Sequence, residues 1–218
     1  MIPDGRVVDL TLAYEERMDG VSFEDTRILE RDGWNARTLH LYGHSGTHVD
    51  APYHFGVSDR TIDEYHPSEF IGRAHLLRLR VETDSYLISA QDLEPVIDRV
   101  EPGESLLVQT GWSAHLCTEW YRDGLPRISA EAASRIVERK VRMLGVETPS
   151  VADVNDLEEV TRIHRILMEG GVTIVEGLTN LDEIENDTCT LVALPLKVQD
   201  GDGAPARVIA IEDVEATE

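Results

Sequence analysis

The run from His40 to Phe55, HLYGHSGTHVDAPYHF, constrains this chain more than any other stretch, because it sets His44, His48, Asp50 and His54 among small residues. Imidazole nitrogens and carboxylate oxygens are the donors that suit a borderline divalent cation such as zinc or manganese, provided that they converge on one point. His44, His48 and Asp50 supply such a set. The His-x-x-x-His spacing also fits one face of a helix, but Gly43, Ser45, Gly46 and Pro52 favour a loop that follows a strand and folds tightly around an ion. Taken singly, each histidine reads as an ordinary surface or capping residue; together with Asp50 they read as a metal or catalytic cluster.

Every fixed position of the pattern His-x-Gly-Thr-His-x-Asp-x-Pro-x-His-Phe is present, as His44, Gly46, Thr47, His48, Asp50, Pro52, His54 and Phe55. On these residues the chain resembles the cyclase family of metal-dependent hydrolases, which includes kynurenine formamidases and isatin hydrolases. The likeness continues through QTGWSAH at Gln109–His115, GVETPSVAD at Gly145–Asp153, HRILMEGGVTIVEGLTNLDEI at His164–Ile184 and LPLKVQDGDGAPARVIA at Leu194–Ala210. The resemblance implies that His44, His48 and Asp50 bind one ion, and that a second shares Asp50 and takes His164 and Glu176. One or two Zn2+ ions are expected, with Mn2+ as the alternative. It further implies a small aromatic amide substrate, an aryl formamide such as N-formylkynurenine or a cyclic amide such as isatin, and a homodimer or homotetramer that shares aromatic residues across its interface. The amino-terminal segment DLTLAYEERMDGVSFEDTRILERDGWN departs from many relatives in lacking proline, so substrate discrimination is expected within Tyr14 to Trp34.

His164 and Glu176 also have readings of their own. Leu157, Val160, His164 and Leu167 recur at spacings of three and four, which puts His164 on the inward face of a helix, where a lone histidine is ordinarily a hydrogen-bonded core group. Glu176 closes the apolar strand VTIVE just before Gly177. It reads either as a solvated strand end or as a buried carboxylate that needs a compensating cation, for which a metal is the candidate.

Periodicity predicts strands at Arg6–Leu12, Arg37–Tyr42, Ala74–Arg80, Ser105–Thr110, Val141–Val146, Val172–Glu176, Thr188–Val198 and Arg207–Ile211. Helices are predicted at Ala90–Val100, with Ser89 and Asp92 spaced as a capping box, at Ser129–Lys140, at Leu157–Glu169 ending on Gly170 and Gly171, and over a shorter Trp112–Tyr121. Strands and helices alternate in the second half but not the first. That pattern predicts an α/β fold with a mixed sheet flanked by helices rather than a doubly wound parallel sheet. The resemblance implies the same, a swivelling β/β/α arrangement, and 218 residues without repeat or linker are read as one domain spanning 1–218, whose end EDVEATE is a frayed tail.

Composition narrows the function classes. A net charge of -22, from 42 acidic against 20 basic residues, opposes nucleic-acid binding, which needs clustered Lys and Arg. Lysine occurs only at Lys140 and Lys197, and this bias together with the acidity fits either a high-salt cytoplasm or a solubility strategy. No stretch approaches the roughly 20 apolar residues of a membrane helix. MIPDGRVVDL lacks the basic and apolar regions of a secretory signal, so a cytoplasmic location is expected, and Cys117 and Cys189 read as reduced thiols.

Serine-hydrolase chemistry is disfavoured, since Ser45 in GHSG and Ser113 in GWSA both lack the Gly-x-Ser-x-Gly frame, and DGDGAP at Asp200–Pro205 is a turn rather than a nucleotide loop. His54, not needed as a ligand, is the candidate general base and acid, with orientation of a ligand as its alternative role. Trp34, Tyr53, Phe55, Phe70 and Trp112 are candidates to sandwich an aryl ring, although each also reads as core packing. Two classes of function follow: an amide-cleaving metalloenzyme, acting on a linear formamide or on a cyclic amide or lactone, and a metal-retaining binding protein without chemistry.

Overall fold

The computed structural model describes residues 5–81 and 83–212. The chain runs β1 (Arg6–Asp9), β2 (Val21–Arg27), the one-turn helix α1 (Leu29–Asp32), β3 (Ala36–Leu41), β4 (His48–Asp50), β5 (Ile71–Arg78), β6 (Leu87–Ile88) and α2 (Ala90–Ile97). It continues through β7 (Ser105–Gln109), α3 (Glu119–Asp123), β8 (Arg127–Ile128), α4 (Ala130–Glu138), β9 (Met143–Val146), α5 (Leu157–Glu169), β10 (Thr173–Glu176), β11 (Thr188–Pro195) and β12 (Gly203–Glu212). The main sheet is mixed and ordered β1-β12-β11-β5-β7-β9-β10-β4. Because β4 also pairs with the start of β12, the strands from β12 round to β4 close into a ring that β1 flanks. The expected α/β fold, a mixed sheet with helices on one side, is what the chain forms.

Alternation along the strands sorts side chains between two cores. Leu106 and Val108 of β7, Leu144 and Val146 of β9 and Ile174 of β10 face the helices, where they meet Leu93 and Ile97 of α2, Ala133 and Ile136 of α4, and Ile163 and Leu167 of α5. Leu107, Met143 and Val175 from the same strands point into the ring, against Val49 of β4, Leu191 of β11 and Val208 of β12. Strands buried on both faces read as unbroken apolar runs, which is why β7, β9 and β10 are visible in the sequence.

Several boundaries differ from expectation. The Trp112–Tyr121 helix divides into a 3-10 turn at Trp112–His115 and α3, because Cys117 between them adopts a left-handed φ of 61°. The β2–β3 hairpin escapes the pattern at β2, whose mostly exposed residues carry no apolar alternation. The expected loop after His44 instead contains the short, fully buried strand β4. β12 begins at Gly203 rather than Arg207, and Glu212, expected in a frayed tail, ends that strand buried, its Oε1 accepting from the backbone of Glu185 and Asn186. The remaining tail residues, 213–218, and the first four residues lie outside those described. Ser89 and Asp92 form the expected capping box, and α5 has the predicted ends. Leu157, placed on the inward face of α5 by its spacing, is instead 79% exposed at the first helical position, and Ile163 packs in the core. No described helix is long and apolar enough to cross a membrane.

Candidate metal centre

Strand register assembles the cluster. In β4, His48 and Asp50 are two residues apart and share one face. Glu176 lies opposite His48 in the antiparallel β10–β4 ladder, and Gly203 lies opposite Asp50 in the β12–β4 ladder. Gly203 has to be glycine: a Cβ there would come within 2.6 Å of His44 Cε1 and 2.8 Å of the Val49 carbonyl oxygen. His44 enters from the loop before β4 and His164 from α5, whose N-terminus is capped by the Asp156 carboxylate accepting from Glu158 and Glu159 N–H.

His48, Asp50, His164 and Glu176 are each no more than 3% exposed. His48 Nδ1 donates to the Gly46 carbonyl at 2.9 Å and His164 Nδ1 to the Val160 carbonyl at 2.7 Å, so both rings turn Nε2 toward the carboxylates. His48 Nε2 stands 3.4 Å from Asp50 Oδ1 and 3.3 Å from Glu176 Oε2, and His164 Nε2 stands 3.3 Å from Glu176 Oε1 and 3.8 Å from Asp50 Oδ2. His44 Nδ1 faces Asp50 Oδ1 at 2.8 Å, while its Nε2 faces Asp202 Oδ2 at 3.0 Å. Burial works to lower the His44 pKa, but hydrogen bonding to Asp50, its charge, and then Asp202 raise it to about 9. Burial likewise works to raise Asp50, yet the His44 hydrogen bond and the neighbouring imidazoles hold it below the usual carboxylate range.

Among the described residues three groups bring donor atoms within 4.8 Å of one another: His44 with His48 and Asp50, Asp50 with His164 and Glu176, and His44 with His54 and Asp202; the first two are the expected ligand sets. Asp50 Oδ2 is buried without a hydrogen-bond partner, the condition of a carboxylate oxygen that a cation satisfies. Imidazole and carboxylate donors at this density fit a divalent ion, and all five expected ligand positions meet at one place.

The cluster floors a cavity of about 620 Å3 lined by His44, His54, Phe55, His164 and Glu176, with Tyr42, Leu116 and Tyr121 on its walls. His54 stacks on His44 at 3.8 Å between ring centroids and Phe55 stacks on His164 at 4.2 Å, each pair 21° from parallel. Of the expected aryl-binding residues only Phe55 lines the cavity. Phe70 and Trp112 are core, at 3% and 5% exposure, whereas Trp34 and Tyr53 are exposed away from it, at 56% and 50%. From the Tyr14–Trp34 region, Arg17, Met18 and Asp19 reach the cavity. Asp202, which contacts both His44 and His54, was hidden in a turn-like DGDGAP run; only the pairing of β12 with β4 brings it to the site.

Comparison with known proteins gives the family and the fold. Kynurenine formamidase of Bacillus cereus is 31% identical over 175 residues, covering 80% of this chain and 79% of its own. Isatin hydrolase A from Ralstonia solanacearum superposes with a TM-score of 0.86 at 23% identity, covering 96% of this chain and 93% of that one. An isatin hydrolase bound to the product analogue thioisatinate superposes with a TM-score of 0.88 at 20% identity, covering 97% and 94%. With the Cyclase family model matching residues 8–153, across the histidine motif and β4 to β9, the chain belongs to the cyclase family.

Proposed function

We propose that this chain is a metal-dependent amidohydrolase that cleaves the C–N bond of an aryl formamide such as N-formylkynurenine, releasing formate and the aryl amine. The observation that carries the reading is the placement of His54 beside a buried His/Asp/Glu donor set on the floor of one cavity. Relatives named kynurenine formamidase support the substrate class. His44, His48 and Asp50 would hold one divalent ion and Asp50, His164 and Glu176 a second, zinc or manganese suiting these donors. When bound, such an ion polarises a carbonyl and lowers the pKa of water to about 7. His54 takes the proton of the attacking water and, as the tetrahedral adduct collapses, returns it to the leaving nitrogen, so that no net proton is gained or lost by the protein. Phe55, stacked on His164 at the cavity wall, offers an apolar face to the aryl ring.

Side-by-side hydrolysis of N-formylkynurenine and isatin, followed by absorbance before and after chelation and with zinc or manganese restored, tests the reading. Metal-dependent turnover of N-formylkynurenine is expected. Preference for isatin would move the assignment to cyclic amides, and turnover of neither by fully metallated protein would overturn it in favour of another amide or a lactone first and a binding protein next. We read the molecule as a homodimer or homotetramer, supported by the apolar exposure of Ile28, Leu29, Trp34 and Leu39 on and around the β2–β3 hairpin. A cytoplasmic site of action accords with Cys117 and Cys189 being free thiols.

A further inference from the structure

Asp202 sits on the residue before β12, and its backbone is pinned, the carbonyl accepting from Ala51 N–H at 2.9 Å. One carboxylate oxygen, Oδ2, lies 3.0 Å from His44 Nε2 and 3.1 Å from His54 Nδ1. These three side chains bring their donors close enough to suggest a further ion site. The ring geometry argues otherwise. An imidazole binds a metal along its in-plane lone pair at roughly 2.0–2.1 Å. The His44 and His54 rings are stacked 3.8 Å apart and only 21° from parallel, which keeps their in-plane lone pairs from converging on one ion at so short a distance. Contacts of 3.0 and 3.1 Å are instead ordinary lengths for one carboxylate oxygen that accepts an N–H from each ring.

We propose that Asp202 is a positioning residue that joins the two histidines, accepting Nε2–H of His44 and Nδ1–H of His54 on the same oxygen. The bond to His44 leaves its Nδ1 facing Asp50, where the proposed ion sits; the bond to His54 leaves Nε2 as the acceptor ring nitrogen for a proton from water. One side chain thereby sets both the ligand tautomer and the base tautomer, and the pinning of its backbone by Ala51 ties that setting to the strand that carries Asp50. This inference rests on the reading of His44 as ligand and His54 as base.

The test uses the zinc-loaded full chain and its Asp202→Ala and Asp202→Asn variants. Long-range 1H–15N spectra of the histidine rings report the tautomers directly, and a chromogenic chelator in competition reports zinc affinity; neither depends on turnover. For Asp202→Ala the expected result is loss of the Nδ1–H preference at His54, zinc affinity weaker by roughly 10–100-fold, and kcat lower by a similar factor with KM little changed. Asp202→Asn, whose amide oxygen still accepts two N–H groups, is expected to keep the His54 tautomer and recover most of the zinc affinity. An Asp202→Ala protein with both the His54 tautomer and zinc affinity unchanged overturns the proposal. Absence of amide hydrolysis in the unsubstituted protein would count against the functional reading alone, since the tautomer and the affinity still judge Asp202.

Discussion

Glu176 stands directly across the β10–β4 ladder from His48, with its Oε2 3.3 Å from His48 Nε2. Two residues 128 positions apart in number are thus neighbours by strand register, and Asp50, two residues along β4, shares their face. A donor set carried on paired strands is held by the ladder itself, so its geometry is preorganised rather than assembled by a loop.

Asp50 is the one residue common to the two donor groups proposed to hold ions. Asp50→Ala is therefore expected to lose bound metal, measured by elemental analysis, and with it the thermal stabilisation by zinc, about 2.7 kcal/mol at a hundredfold excess over Kd. An Asp50→Ala protein that stays fully metallated and active would contradict the bridging role.

His54 lies outside the ligand set, stacked on His44 and open to the cavity. His54→Ala is expected to retain its metal while turnover falls roughly 10²–10⁴-fold. Loss of metal in this variant would mean that His54 serves the ion instead of the proton.

At Gly203 there is no room for a methyl group against His44 and the Val49 carbonyl. Gly203→Ala is expected to cost about 1–3 kcal/mol in urea unfolding and to weaken zinc binding by displacing His44. Unchanged stability and affinity would show that the β12–β4 contact yields easily.

Glu147 offers a prediction outside the proposed metal ligands. Its Oε2 accepts from the backbone N–H of Thr110, Gly111 and Trp112 and from the Thr110 hydroxyl, pinning the turn after β7. Burial raises its pKa above the ordinary value, against the pull of those bonds. The folded state then holds the proton more tightly than the unfolded chain, so the ionised side chain costs stability as pH rises through the carboxylate range. Glu147→Gln keeps an acceptor without the charge, and its stability relative to the unsubstituted protein is expected to improve between about pH 4 and pH 8. Glu147→Ala strands the donors and is expected to lose at least about 2 kcal/mol. Urea midpoints at both pH values check the sign.

The sequence carried much of this site because its motif is local: His44, His48, Asp50 and His54 lie within eleven consecutive positions, and helical spacing alone turns His164 inward. Strands buried on both faces, such as β7 and β9, announce themselves by apolar runs. What stayed hidden depends on pairing between distant segments. β4 is only three residues long, two of them polar, and its partners lie more than a hundred positions away, so neither the strand nor the arrival of Asp202 has a local signal. The aromatic candidates failed for a related reason: size and proximity in sequence do not say which face a ring takes, and Phe70 and Trp112 went to the core.

The most direct test of the account is a zinc titration of chelator-stripped protein in which bound metal and N-formylkynurenine hydrolysis are read on the same samples. The account predicts that hydrolysis is absent from the stripped protein and rises in step with occupied ions. Full hydrolysis by protein that carries no ion would contradict it.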